Sequence, residues 1–195
     1  MKFFSLVYLS LAFLCVVYLV FPYIHVTHAY REHSITAEVS DVLFAPDDDL
    51  RAKLLELIDA EHSHIYAALY YVSDQAVVDA LIRAQRRGVC VQVVTDSSNL
   101  DTRYAKFLRM RGTGIGLYIY PGKREKVCRA IMHHKFIVCT ANGDGLEAIV
   151  ATGSCNFTTS GLKKNHENLV VLRSSAIAKK YTKHFRLLLD RCDVL

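Results

Sequence analysis

His133 and Lys135 stand two residues apart in the run Ile131-Met132-His133-His134-Lys135-Phe136-Ile137-Val138-Cys139-Thr140. Ala151-Thr152-Gly153-Ser154-Cys155-Asn156-Phe157 follows shortly after. Side chains alternate along a strand, so an imidazole and an ammonium at this spacing point to the same side. The apolar run from Phe136 to Cys139 predicts a buried strand. Asn142-Gly143 and Asp144-Gly145 supply turn chemistry. A second apolar run, Ala148 to Ala151, then ends in Gly-Ser-Cys-Asn. An imidazole, an ammonium, a hydroxyl and a carboxamide can therefore converge at the ends of two neighbouring strands. A phosphodiester carries negative charge and has a poor alkoxide leaving group. Attack on it needs charge neutralisation and a proton for the leaving oxygen, which this set can supply.

The elements that must position these residues follow from hydrophobic period and turn chemistry. Val42 to Phe44 reads as a short strand, and Pro46 to Asp49 as the turn and cap before a helix with Leu50, Leu54, Leu55, Leu57 and Ile58 on its apolar face. Ile65 to Val72 is a strand. Ser73-Asp74 caps a helix bearing Val77, Val78, Leu81 and Ile82, and Gly88 ends it. Val89 to Val94 is a strand apolar enough to be covered on both faces. Asp96 to Asp101 is expected as a loop, Tyr104 to Arg111 as a short helix, and Ile115 to Tyr120 as a strand. A basic loop from Pro121 to Lys126 leads to the His-Lys strand. Thr158 to Asn165 reads as a polar loop and Glu167 to Leu172 as a strand. Ser174 caps a last helix carrying Ile177, Tyr181, Phe185, Leu188 and Leu189. Alternating strands and helices indicate an α/β fold with a mixed β-sheet flanked by helices on both faces.

The chain has 195 residues, 22% of them charged and 52% hydrophobic, with a net charge of +5. That is a globular composition, not a disordered one. The charge is uneven: Glu32 to Glu61 holds nine acids and two bases, Arg103 to Lys135 nine bases and one acid. Such a basic stretch attracts a polyanion or an anionic lipid surface, or is a plain solvated face. None of the six cysteines forms a C-x-x-C pair, which argues against a zinc site. Cys90 and Cys139 lie in apolar strand patterns and read as small core residues. Cys128 could pair with Cys155 or Cys192 in an oxidising compartment.

Phe3 to Ile24 is almost continuously apolar. It matches the ~20 residues that a helix needs to cross a bilayer and exceeds the ~7–15 of a signal-peptide core. The expected organisation is an N-terminal transmembrane signal anchor over residues 1–30, with a signal peptide cut after Ala29 as the alternative. A linker follows over 31–41 and a catalytic domain over 42–195. Lys2 before the span leans toward an inside N-terminus and a non-cytoplasmic body, secreted or periplasmic if the leader is cleaved.

At His133-x-Lys135 with Gly153-Ser154-x-Asn156 and a downstream Glu167-Asn168, the chain resembles the phospholipase D superfamily, the HKD phosphodiesterases. It is most similar to the short single-motif members, the bacterial Nuc-type endonucleases and mitochondrial Zucchini-type proteins. The resemblance covers roughly Val42 to Leu172, and a Zucchini-type placement on a mitochondrial outer membrane would turn the body to the cytosol. The family motif is H-x-K-x4-D, and here Thr140 stands at the Asp position. Asp144, four residues on, lies in the turn. The stretch between His133 and Ser154 is longer than in compact members, with Ala141 to Glu147 as the insertion.

The resemblance implies a phospholipase D-like fold and a homodimer, because the family uses two His-Lys pairs related by a two-fold axis and this chain carries one. It implies no metal and no cofactor. His133 would attack phosphorus to form a phosphohistidine, and His133 of the second copy would act as acid and then base. Lys135 and Asn156 would hold the non-bridging oxygens, with Ser154 supporting them. Glu167 would sit on the far nitrogen of His133, or is simply a strand surface residue. His134 should point to the opposite side of the sheet and be structural. The other histidines, His184 among them, read as non-catalytic.

Three substrate readings follow. The first is an endonuclease on single-stranded nucleic acid, with Lys123, Arg124, Lys126, Arg129, Lys163 and Lys164 tracking the backbone and Tyr118, Tyr120 and Phe157 as stacking surfaces if exposed. The second is a phospholipase acting on cardiolipin or other anionic phospholipids near the membrane that residues 3–24 would span. The third is a membrane-tethered nucleic-acid-binding protein, catalytically impaired by Thr140.

Overall fold

A computed structural model of the chain describes residues 37–101, 106–121 and 130–195. Three helices begin at the expected polar caps. Asp49 accepts from Ala52 N ahead of α1 (Leu50–Asp59), Asp74 accepts from Ala76 N and Val77 N ahead of α2 (Gln75–Arg86), and Ser174 accepts from Ile177 N ahead of α4 (Ser175–Leu189). Each cap satisfies N–H groups that the first helical turn leaves unpaired. Gly88 follows α2 with φ +94°, a backbone conformation that costs a glycine nothing, so the chain turns sharply into the next strand. The expected polar loop after Phe157 contains one short helix, α3 (Thr159–Lys163), capped by the Thr158 hydroxyl.

The strands are β1 (Glu38–Ala45), β2 (His64–Leu69), β3 (Cys90–Asp96), β4 (Gly116–Tyr120), β5 (Lys135–Asn142), β6 (Glu147–Gly153), β7 (Glu167–Arg173) and β8 (Asp193–Val194). They form one mixed sheet in the order β1-β7-β6-β5-β2-β3-β4-β8. Only the β2–β3 and β3–β4 pairs are parallel, the first connected through α2. The β5–β6 hairpin, β7 and β1 extend the sheet antiparallel on one side, and β8 closes the other.

Helices cover both faces, as the alternation of strands and helices predicts. On one face Leu50, Leu54, Ile58, Val77, Val78 and Leu81 pack on Ile65, Ala67, Val91, Ile137 and Ala151. On the other, α4 lays Ala178, Phe185 and Leu188 over Tyr66, Ala68, Phe136, Val138 and Val150. Leu50, Leu54 and Ile58 have no exposed surface. Burial of each contributes about 1.5–3 kcal/mol. The alternation in β5 explains the split: Ile137 and Cys139 face α1 and α2, Phe136 and Val138 face α4.

Several boundaries differ from expectation. β1 begins at Glu38, inside the expected linker over 31–41, because pairing with β7 recruits polar residues that propensity alone leaves as coil. Of the helix expected over 104–111, the described part is a 3-10 turn, Lys106–Met110. β8 has too few residues to leave a periodic signal. Cys90 is exposed, as the first residue of β3, whereas Cys139 is buried. Phe157 is buried in the core and cannot stack on a base, and Tyr118 and Tyr120 are partly buried against the α4 face. Residues 3–24 and 122–129 lie outside the described residues, and with them the expected span and Lys123, Arg124, Lys126 and Arg129. Among the described residues no helix is long and apolar enough to cross a membrane.

Candidate active site

One end of the sheet gathers the last residues of β2, β3 and β6 and the first of β5 and β7. Lys135 opens β5 opposite Leu69, the last residue of β2. Its ammonium donates to the carbonyl oxygen of His133 at 2.9 Å and lies 3.1 Å from Nδ1 and 3.2 Å from Nε2 of the same residue. The Lys135 side chain is largely buried, while the His133 ring is exposed. Burial holds the Lys135 ammonium below the ordinary lysine value, opposed by the charges of Glu167 and Cys155.

Two residues not singled out from sequence hold this pair. Tyr70 follows β2, and its N–H donates to His134 O at 2.8 Å. Its ring packs against His133 with centroids 4.5 Å apart, and the Lys135 ammonium lies 5.3 Å from its centre. A hydrogen bond with Tyr71, then partial burial, pushes the Tyr70 phenol above its ordinary value. Asp96, fully buried at the end of β3, accepts from Ser98 N and Met132 N, both at 2.9 Å. It therefore fixes the backbone one residue before His133. An acid at the C-terminal end of an apolar parallel strand was the available signal for Asp96, since ligand crevices open there.

Ser154 and Glu167 meet across the ends of β6 and β7. The Ser154 hydroxyl donates to Glu167 Oε2 and accepts from Asn168 N at 3.1 Å, and Ser154 N donates to Asn168 Oδ1 at 3.0 Å. Glu167 also accepts from Asn165. Its hydrogen bonds thus go to Ser154 and Asn165 and not to His133, whose ring faces Lys135 and Tyr70. The short Ser154 side chain lies within reach of Glu167 first. Gly153 is required by this crossing, because a Cβ there would collide with the Asn168 carbonyl. Asn156 Oδ1 is buried and unpaired among the described residues, a condition concentrated at functional sites. Phe157 N donates to Tyr71 O, while Ser73 N and Asp74 N both donate to Phe157 O, which pins the segment after Ser154 beside β2.

His133, Lys135, Gly153 and Thr152 open into a cavity of about 450 Å³ that α4 closes with Lys180, Tyr181 and His184. Ser154 and Glu167 line a smaller one of about 220 Å³ with Phe44 and His166. Lys163 and Lys164 line neither, and Lys163 pairs with Asp49 at 3.5 Å. A larger cavity, about 640 Å³, lies at the other end of β5 beside Thr140 and is not part of the site. His134 turns to the α4 face as expected, where its Nε2 lies 2.9 Å from that of His184. Partial burial and then the His184 charge hold the His134 imidazole below its ordinary value. Among the described residues no three His, Cys, Asp or Glu side chains gather closely enough to hold a metal ion.

Thr140 sits five residues along β5 from Lys135, roughly 17 Å at strand rise, so it is remote from the chemistry. A carboxylate stands there nonetheless. Glu61, buried in the α1–β2 connection, accepts from Ser63 N at 2.8 Å, His64 N at 3.0 Å and Ala141 N at 3.0 and 3.1 Å, and lies 3.5 Å from Thr140 Oγ1. Thr140 Oγ1 itself accepts from His64 N at 3.1 Å.

Residues 54–189 match the family model described as cardiolipin synthase, PLD-like domain. The chain is 31% identical to a phospholipase D of Rickettsia prowazekii (strain Madrid E) over 144 residues, which is 73% of this chain and 63% of that one. It is 29% identical to a mitochondrial cardiolipin hydrolase of Xenopus laevis over 140 residues, 72% of this chain and 60% of that one. The chain thus spans less than two thirds of the length of either. Its fold superposes on Nuc, a phospholipase D family member from Salmonella typhimurium, with a TM-score of 0.70 and 25% identity, covering 82% of this chain and 99% of that one. With one His-Lys motif at the mouth of this sheet and a family match across most of its length, the chain belongs to the phospholipase D superfamily, in its PLD-like domain family and single-motif subgroup.

Proposed function

We propose that the protein is a phosphodiesterase that works through a phosphohistidine at a homodimer interface, cleaving single-stranded nucleic acid. The observation that carries this reading is the Lys135 ammonium held 3.1–3.2 Å from the His133 ring nitrogens beneath an open cavity. The ammonium beside the ring offsets the charge of a phosphate that a neutral imidazole attacks, which is the pairing a nucleophile on a phosphodiester needs. His133 attacks phosphorus, a P–N bond forms, and the P–O bond to the leaving group breaks. His133 of the second copy gives its proton to the leaving oxygen. Water then attacks phosphorus, passes a proton to that second imidazole, and the P–N bond breaks. Lys135 and the Asn156 carboxamide offset charge on the non-bridging oxygens, the contribution that usually dominates such catalysis. No metal and no cofactor has a part in these steps. Ser154 and Glu167 brace the Gly153 crossing, and the Glu167 charge helps keep Lys135 protonated. Lys163 and Lys164, and Lys123, Arg124, Lys126 and Arg129 outside the described residues, are the cations that would hold a phosphate backbone.

One feature favours a lipid instead. Phe44 is 55% exposed and lines the cavity that holds Ser154 and Glu167, with Val42 51% exposed on the same face of β1. A glycerophospholipid would lay acyl chains there, beside a membrane anchored through residues 3–24. The test is to incubate full-length protein, wild type and His133→Ala, with single-stranded DNA, RNA and cardiolipin vesicles in chelator. Hydrolysis of one class by wild type alone is expected. Equal products from both proteins would refute the role of His133.

A further inference from the structure

The flank of α4 that faces the His133 cavity carries Lys180 and His184 one turn apart, and the proposed reaction leaves both unused. The cavity is lined by two lysines and three histidines and by no carboxylate. Some cations of the described body meet acids: Arg51 meets Asp74, Lys53 meets Glu56, Arg83 meets Asp59, and Arg173 meets Glu147. Lys180 forms no such pair among the described residues. An ammonium left without a counter-charge in a concave site attracts an anion. Lys135 is committed to the scissile phosphate, being tied to His133 at the cavity floor. Lys180 lines the same cavity from α4. One proton bridges the Nε2 atoms of His134 and His184, so the accepting ring, when neutral, keeps an N–H at Nδ1 as a further donor.

Building on the phosphodiesterase reading, we propose that Lys180 and His184, supported by His134, form a second phosphate subsite that selects substrates with a phosphodiester next to the scissile one. Both a polynucleotide, with its neighbouring phosphate, and a lipid with two phosphates in one headgroup present this chemistry. A simple diester does not. Lys180 and His184 would thus set specificity, while His133 and Lys135 act on the bond.

The test pairs substrates that differ by one phosphate: a thymidine dinucleotide against the trinucleotide, and phosphatidylglycerol against cardiolipin. Full-length wild type, Lys180→Ala, Lys180→Arg and His184→Ala are compared by kcat/KM on each pair. Wild type should prefer the two-phosphate member of the pair it hydrolyses. Lys180→Ala should shrink that preference about tenfold and His184→Ala severalfold, with Lys180→Arg restoring most of it. Equal loss on both members, or no preference in wild type, overturns the subsite. Binding of the same pairs by His133→Ala reads the subsite without turnover, and equal affinity for both members also overturns it. A wild type inert toward all four substrates refutes the phosphodiesterase reading, and the binding preference still decides the subsite.

Discussion

Lys135 carries a charge under burial, and this gives its pH dependence a sign. Its ammonium titrates below the ordinary lysine value, so kcat/KM should fall on the alkaline side earlier than an exposed lysine near ~10.4 would dictate. Stability responds in the opposite direction. Between the lowered and the ordinary value the unfolded chain binds the proton and the folded chain does not, so this group's contribution to stability rises with pH there. The Glu167 charge opposes the shift, so Glu167→Gln should move the alkaline limb to still lower pH, read from a kcat/KM profile. Asp96 acts through the backbone of Met132. Asp96→Asn should lower kcat about tenfold, because a hydrogen bond to a charged acceptor contributes about 1.5–3 kcal/mol and its loss frees the strand leading to His133. An unchanged kcat in a folded protein would deny that role. The placement of His133, Lys135 and Ser154 at the ends of neighbouring strands was legible because strand period and turn residues are local signals. Tyr70 and Asp96 were not, since they join the site only through the β2–β5 and β2–β3 pairings, which sequence spacing does not encode.

At the scale of elements, Glu61 and Thr140 tie the α1–β2 connection to the far end of β5. Glu61→Ala leaves the N–H groups of Ser63, His64 and Ala141 without their acceptor, and should cost about 3 kcal/mol in denaturant melts. Thr140→Asp restores the motif's letter, but places a second carboxylate against a buried one. It should destabilise the fold without raising activity, and Glu61→Gln in the same chain should recover much of the loss. A Thr140→Asp protein more active than wild type would overturn the view that Glu61 already fills the place. The caps at Asp49, Asp74 and Ser174 and the stop at Gly88 were read correctly because each satisfies helix ends within a few residues. β1 and β8 were underread for the converse reason: both are edge strands made by a partner rather than by their own period. The basic flank of α4 was hidden in plain amphipathicity, since a period fit shows which residues are exposed and not which cavity they border.

For the whole molecule, the proposed reaction needs two copies, because each chain carries one His-Lys motif. If each site takes a His133 from both copies, mixing wild type with inactive His133→Ala under conditions of subunit exchange should lower specific activity with the square of the wild-type fraction. A linear fall would mean that each copy works alone. The α/β class and the covered sheet were legible in the sequence, because near-continuous apolar strands and amphipathic helices leave few alternatives. The substrate class was not, because nucleic acid and phospholipid offer the same diester to the same four groups.

The β5–β6 hairpin has a further consequence. Its tip lies around Gly143 and Leu146, whereas Phe136 pairs with Thr152 at the base next to the site. A hairpin lengthens by moving its tip outward and leaves the register at its base alone. The bulge between Cys139 and Asn142 absorbs what does not match. Sequence length and catalytic geometry are therefore decoupled here. The exposed turn at Asp144–Gly145 is a place where a label, an epitope or a whole tether can be grafted, with the base of the hairpin beside the chemistry undisturbed.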